Sequence, residues 1–192
     1  MSFLDILHIN RMYCNIERSS ANDADSKCLN GGYRNTLVAN GNTELQSCNC
    51  LEGFSGEFCE SVGNKDCGGV IGLSESLRGV RLNNNGNKEC SWIVKNNLIR
   101  NWGDERSSYI RVRNINSAIP SSVYGTCAMS WLEVKNRVLS PFGGEKFCSS
   151  SLYRLNVLMS EDEIMINYKS GLDAMDSSLD LLVLLEYYTS VE

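Results

Sequence analysis

Cys90-Ser91-Trp92-Ile93-Val94-Lys95 sets Cys90, Trp92 and Val94 on one side of an extended chain and Ser91, Ile93 and Lys95 on the other. Successive side chains of a strand point to opposite faces, so the stretch reads as a strand with an apolar side. Outward from it the same texture repeats. Ile110 and Val112 alternate with Tyr109, Arg111 and Arg113; Leu132 and Val134 with Glu133 and Lys135; Ile164, Ile166 and Tyr168 with Met165, Asn167 and Lys169. Leu179 to Tyr188 is apolar on both faces and suits a central strand. Turn signals fall between these runs at Asn83-Asn84-Asn85-Gly86, Asn116 to Ser122 and Ser140-Pro141-Phe142-Gly143-Gly144. From Cys67 onward this is the pattern of an antiparallel β-sandwich.

Composition narrows the function classes. The chain has 192 residues, a net charge of -5, nine cysteines and one histidine. The length allows one or two domains. The acidic balance argues against a nucleic-acid binder and against electrostatic attachment to an anionic membrane. No stretch approaches the roughly eighteen apolar residues of a membrane span. A single histidine excludes a His-only zinc site and an HExxH site, which need at least two. Cys28, Cys48, Cys50 and Cys59 form one block, Cys67, Cys90, Cys127 and Cys148 another, and Cys14 stands apart. Two blocks of four read as two disulfide frameworks in an oxidising compartment. The rival reading is zinc, but Cys48-Asn49-Cys50 is closer than the usual C-x2-C knuckle and no second close pair faces it. An oxidising compartment implies export. Met1-Ser2-Phe3-Leu4-Asp5 lacks a basic region and a long apolar run, so no signal peptide is expected within this sequence. The economical expectation is the tail of a longer secreted protein.

Residues Phe3 to Tyr13 carry apolar side chains at mixed three- and four-residue spacings, which predicts a short amphipathic helix starting after Ser2. Residues 15–27 read as a polar linker. Residues 28–60 hold many glycines and little apolar mass, and so depend on crosslinks. A second linker, 61–66, leads to the sandwich at 67–188. No N-x-[ST] acceptor occurs, so N-glycosylation is not expected.

Cys28-Leu-Asn-Gly-Gly-Tyr33 followed by Cys48-Asn-Cys50-Leu-Glu-Gly-Phe-Ser-Gly-Glu-Phe-Cys59 resembles the epidermal growth factor-like module. Gly53 and Gly56 permit the positive φ of a tight hairpin, and Phe54 supplies a small core. A full module has six cysteines; the one expected shortly before Cys48 is absent. The resemblance implies Cys28–Cys48 and Cys50–Cys59 bonds. The acidic residues that calcium-binding members carry before the first cysteine are not evident, with Asp23 and Asp25 only loosely placed. Cys67-Gly-Gly69, Cys90-Ser-Trp-Ile93, Leu132-Glu-Val134 after Cys127, Ser140-Pro-Phe-Gly-Gly-Glu-Lys-Phe-Cys148 and Ile164-Met-Ile-Asn-Tyr-Lys-Ser170 resemble the CUB domain. This implies a jelly-roll β-sandwich with Cys67–Cys90 and Cys127–Cys148 bonds and Trp92 in the core beside the first. Many CUB domains bind calcium through a Glu and two Asp, one of them three residues after the third cysteine. That position is Ser130, and Asn116 to Thr126 holds no carboxylate, so calcium is not expected. Asp104-Glu105-Arg106 and Glu161-Asp162-Glu163 read as solvated loops.

Ser2 to Cys14 resembles the end of an astacin-type zinc metalloprotease domain, with the Tyr13-Cys14 spacing shorter by one. Protease end (1–14), EGF-like module, then CUB domain is a layout of nematode-type astacins. The resemblance implies that Cys14 bonds a cysteine of the protease domain, leaving it unpaired here; the other owner is an incomplete pairing of the EGF-like module. His8 reads as an ordinary residue of the terminal helix, outside any motif. The expected fold is therefore mainly β, a CUB sandwich preceded by a small disulfide-rich EGF-like module and a short helix. The expected function is a non-catalytic extracellular interaction tail, binding a protein partner or proteolytic substrate, without catalytic residues, metal ligands or cofactor. The enzyme-class alternative is a secreted zinc metalloendopeptidase whose catalytic domain, with its zinc, lies outside this chain. A third reading is a free-standing secreted binding protein.

Overall fold

A computed structural model describes residues 28–39, 42–63, 66–98, 108–122, 125–136, 138, 143–159, 162–171 and 177–187. The helix expected over Phe3 to Tyr13, His8, Cys14, the 15–27 linker and Asp104 to Arg106 lie outside them. The chain divides into two compact units, Met1–Val62 and Gly63–Glu192.

In the first unit β1 (Tyr33–Ala39) pairs antiparallel with β2 (Asn42–Asn49), with a register shift between Arg34 and Thr36. A second hairpin joins β3 (Phe54–Ser55) to β4 (Ser61–Val62). Only Leu51, Phe54 and Cys59 are buried hydrophobics among its described residues. Two disulfides carry the rest: Cys28–Cys48, with Cα atoms 5.7 Å apart, and Cys50–Cys59, at 5.3 Å. Each such bond contributes about 2–4 kcal/mol by constraining the unfolded chain. The crosslinks leave no room for a side chain at Gly32, where a Cβ would sit 2.7 Å from Cys59 Sγ and 3.1 Å from the Asn49 carbonyl oxygen.

The second unit is a sandwich of two sheets. One has the order β10-β9-β12-β7-β5, from Glu145–Phe147, Trp131–Lys135, Glu163–Lys169, Glu89–Asn96 and Gly68–Leu73. The other has the order β11-β8-β13-β6, from Asn156–Met159, Ser108–Asn114, Asp180–Tyr187 and Gly79–Asn83. Trp92, Val94, Leu132, Val134, Ile164 and Ile166 from the first sheet face Leu82, Ile110, Val112, Leu181, Val183 and Leu185 from the second in one buried cluster. Cys67–Cys90 lies in that cluster beside Trp92, and Cys127–Cys148 ties the β10 end to the loop after β8. A 3-10 helix, Ser149–Arg154, follows Cys148; Ser151 Oγ donates to the Cys148 carbonyl and accepts from its N–H. The fold is mainly β, as the alternation implies.

Two features depart from the sequence reading. The sandwich is not wholly antiparallel, because β5 runs parallel to β7, Gly68 beside Ser91. The chain crosses from β5 to β6 in the opposite sheet and back to β7, and the two reversals restore the direction. The middle of the first sheet is also buried on both faces. Ser91, Ile93, Glu133, Lys135, Met165 and Asn167 were expected outside, yet all are buried, whereas Lys95 and Lys169 on the same side are exposed. Glu133, Lys135 and Asn167 are tolerated because they pair, although Asn167 Oδ1 is left without a hydrogen-bond partner among the described residues. Glu133 Oε1 accepts from Gly144 N at 2.9 Å, and Oε2 accepts from Asn167 Nδ2 at 3.1 Å and faces Lys135 Nζ at 3.3 Å. Glu163, read as part of a solvated loop, opens β12 and pairs with Lys95 at 3.6 Å.

Removing one partner of a buried ion pair strands the other charge. Glu133→Ala should therefore cost about 3–5 kcal/mol in urea unfolding. Glu133→Gln with Lys135→Met keeps an amide acceptor and removes both charges, so it should cost about 1–2 kcal/mol. Equal losses in the two would contradict a buried ion pair.

Candidate functional site

Recognition surfaces on a rigid sandwich come from loop ends or from outward sheet faces. At one loop end the polar groups satisfy each other. Asn84 is buried; its Oδ1 accepts from Leu179 N at 3.0 Å and its Nδ2 donates to the Asn87 carbonyl at 2.9 Å. Tyr168 Oη lies 2.8 Å from Ser177 Oγ, which in turn contacts Ser170 Oγ. Ser130 is 3% exposed, and its Oγ accepts from Gly171 N at 2.9 Å. Ser117 Oγ accepts from Asp180 N at 2.8 Å, and Ser122 and Thr126 join their hydroxyls at 2.7 Å. Among the described residues there is no group of three His, Cys, Asp or Glu side chains that could hold a metal ion. The eight cysteines of the two blocks are all in the bonds above.

The outward face of the sheet β11-β8-β13-β6 is different in kind. Its register sets Asn156, Arg113, Leu182 and Arg81 in one row and Leu158, Arg111, Leu184 and Gly79 in the next. Tyr109 stands opposite Glu186 beyond them, and Asp180 opposite Asn83 on the other side. Asp180 takes a bidentate pair from Arg81, both bonds 2.6 Å. Glu186 Oε2 accepts from Arg111 Nε at 2.8 Å and from Tyr109 Oη at 3.0 Å, while Arg111 also donates to Asn156 Oδ1 at 2.6 Å. Arg113 is exposed, and its guanidinium makes no hydrogen bond or ion pair among the described residues. Leu158 is 52% exposed, and Leu182 and Leu184 are half-buried.

The alternation of Tyr109, Arg111 and Arg113 is visible in the sequence, but this face is not. The signal was the arginine at every second position of β8. What it lacked was the pairing across β6, β8, β11 and β13, which are not consecutive in the chain and share no local pattern.

Charge on the face is partly matched. The Arg81 hydrogen bonds hold the Asp180 carboxyl below its ordinary range, against partial burial and with help from the Arg81 charge. Burial pushes Glu186 upward, but hydrogen bonds from Arg111 and Tyr109, with the charges of Arg111 and Arg113, outweigh it and leave a net lowering.

No protein-family model matches the chain. It is 27% identical over 172 residues to zinc metalloproteinase nas-38 of Caenorhabditis elegans, covering 86% of this chain and 21% of that protein. It is 24% identical over 183 residues to zinc metalloproteinase dpy-31 of Brugia malayi, covering 88% and 27%. With zinc metalloproteinase nas-36 of Caenorhabditis elegans the identity is 33% over 104 residues, covering 50% and 15%. Among solved structures, the CUB1-EGF-CUB2 domain of human MASP-1/3 gives a TM-score of 0.47 at 12% identity, over 80% of this chain and 53% of that one. The homologues of this mainly β chain are thus nematode astacin-type zinc metalloproteinases. The chain spans between 15% and 27% of the length of these three relatives.

Asp180 and Glu186 have folded pKa values below their unfolded ones. They contribute stability above the unfolded value near pH 4 and lose it as pH falls through the depressed folded value. Wild-type urea stability should therefore drop between pH 6 and pH 3, and the double variant Asp180→Asn/Glu186→Gln should drop less. Equal drops would contradict the pairing.

Proposed function

We propose that this chain is a non-catalytic, extracellular interaction tail of an astacin-type zinc protease, whose sandwich binds a protein partner or substrate for the catalytic domain. The observation that carries this is the reach of the alignments: they run through both units, over 86–88% of the chain, yet take up only 21–27% of each relative. The peptidase reading draws support from the relatives' names, but the astacin zinc motif H-E-x-x-H-x-x-G-x-x-H needs three histidines and this sequence has one. Four disulfides support an oxidising, extracellular setting. No helix among the described residues is long and apolar enough to cross a membrane.

The residues do not fit the calcium-mediated binding of many CUB domains. Ser130 stands at the Asp position, buried, with its hydroxyl committed to Gly171 N, and Asn116 to Thr126 supplies no carboxylate. Calcium wants several oxygen ligands, with carboxylates among them. About 1 mM calcium should therefore leave the thermal midpoint in place, whereas a micromolar site would add about 4 kcal/mol.

The tail reading is tested on the full-length protease, with and without residues 28–192. Tail removal should leave kcat/KM on a short fluorogenic peptide within about twofold and lower it about tenfold or more on the protein substrate, as expected for lost remote binding. The isolated chain should not cleave casein in the presence of zinc. Equal kcat/KM losses on both substrates, or chelator-sensitive casein cleavage by the chain alone, would contradict it.

A further inference from the structure

We propose that the outward face of the sheet β11-β8-β13-β6 docks an extended acidic protein segment that presents carboxylates and apolar side chains on the same side of its strand. This rests on the interaction-tail reading and names the partner's chemistry and the surface that reads it.

The charge of the face runs against that of the molecule. The whole chain carries -5, while this face sets Arg81, Arg111 and Arg113 against Asp180 and Glu186. Arg81 and Arg111 make ion pairs within the face; Arg113, across Leu182 from Arg81, makes none among the described residues, although its charge acts on Glu186. An arriving carboxylate can take Arg113 in the forked two-bond geometry for which a guanidinium is built. Leu182 stands beside Arg113 and Leu184 beside Arg111 on β13, and the exposed Leu158 flanks Arg111 on the β11 side. Arginine and tyrosine are among the residues that concentrate binding energy in protein interfaces.

Spacing favours an extended partner. Same-face side chains of a strand lie about 6.6–6.8 Å apart and neighbouring strands about 4.8 Å apart. An extended peptide faces the sheet with every second side chain, so a carboxylate at one position can take Arg113 while an apolar side chain two residues on covers Leu184. A sulfated glycan would satisfy the arginines but has no apolar side chain to cover Leu158 and Leu184. A second copy of this chain, acidic overall, is the remaining occupant to test against.

The disulfide-intact chain is titrated, by fluorescence anisotropy, with a labelled short peptide in which Glu and Leu alternate along one side of the extended chain with Ser on the other, with its Gln counterpart and with a heparin oligosaccharide. The acidic peptide should bind, and binding should weaken as salt rises. Arg113→Gln should weaken it about tenfold and Leu158→Ser severalfold, with thermal midpoints unchanged because both side chains are exposed. Lys95→Gln, on the other sheet, should have no effect. Equal binding of the Gln peptide, an unaltered Arg113→Gln, heparin binding that the peptide does not displace, or self-association through this face would each overturn the proposal. In the full-length protease the two readings separate. If deleting the tail lowers kcat/KM on the protein substrate and Arg113→Gln does not, the docking face is wrong and the tail stands. If neither matters, the tail reading is wrong.

Discussion

The inward commitment of β8 and β13 constrains everything outside them. Ile110 and Val112 on β8, and Leu181, Val183 and Leu185 on β13, are almost wholly buried against the opposite sheet. Because strand side chains alternate, burying these residues forces Tyr109, Arg111 and Arg113, and with them Leu182, Leu184 and Glu186, to the other side. A one-residue slip of β8 would carry Arg111 and Arg113 into the core, and one of β13 would carry Asp180 and Glu186 there. The register that packs the sandwich is thus the register that assembles the arginine face.

Covalent and steric constraints hold that register at the opposite sheet. Cys67–Cys90 continues the parallel ladder of β5 and β7 by one rung past Gly68 and Ser91. Gly68 has φ +125°, and a Cβ there would collide with the Ser91 carbonyl oxygen, so the close approach of the two strands needs a glycine. Across the sandwich, Asn84 bonds the β6–β7 turn to Leu179 at the entry to β13. That turn places Asn85 and Gly86 at φ +46° and +78°, the two successive positive values of a tight Asn-Gly turn, closed by Asn87 N donating to the Asn84 carbonyl.

How far the sequence could be read follows from which interactions are local. Period-two alternation identified Cys90, Trp92 and Val94, Ile164, Ile166 and Tyr168 as one inner surface, and all are buried. The Asn-Gly turn was legible for the same reason, since its cause lies in neighbouring residues. Alternation reports residue chemistry, not cover, and so Glu133, Lys135 and Asn167 read as a solvent face although they are buried and mutually paired. The parallel β5–β7 pair was hidden because it follows from two crossings between sheets. The arginine face was hidden because β8 meets β11 and β13 only through long-range pairing. The EGF-like and CUB resemblances, by contrast, rest on motifs compact enough to read directly.

On the proposed reading, the crosslinked sandwich presents a cationic and apolar sheet face to a protein partner, and catalysis is assigned to a separate protease domain. Hydrogen exchange of the full-length protease, free and bound to a catalytically trapped protein substrate, is the most direct measurement. The account predicts new protection in β8, β11 and β13, centred on Arg113 and Leu158. Protection confined to the loops around Asn116 to Thr126, or none within residues 67–188, would contradict it.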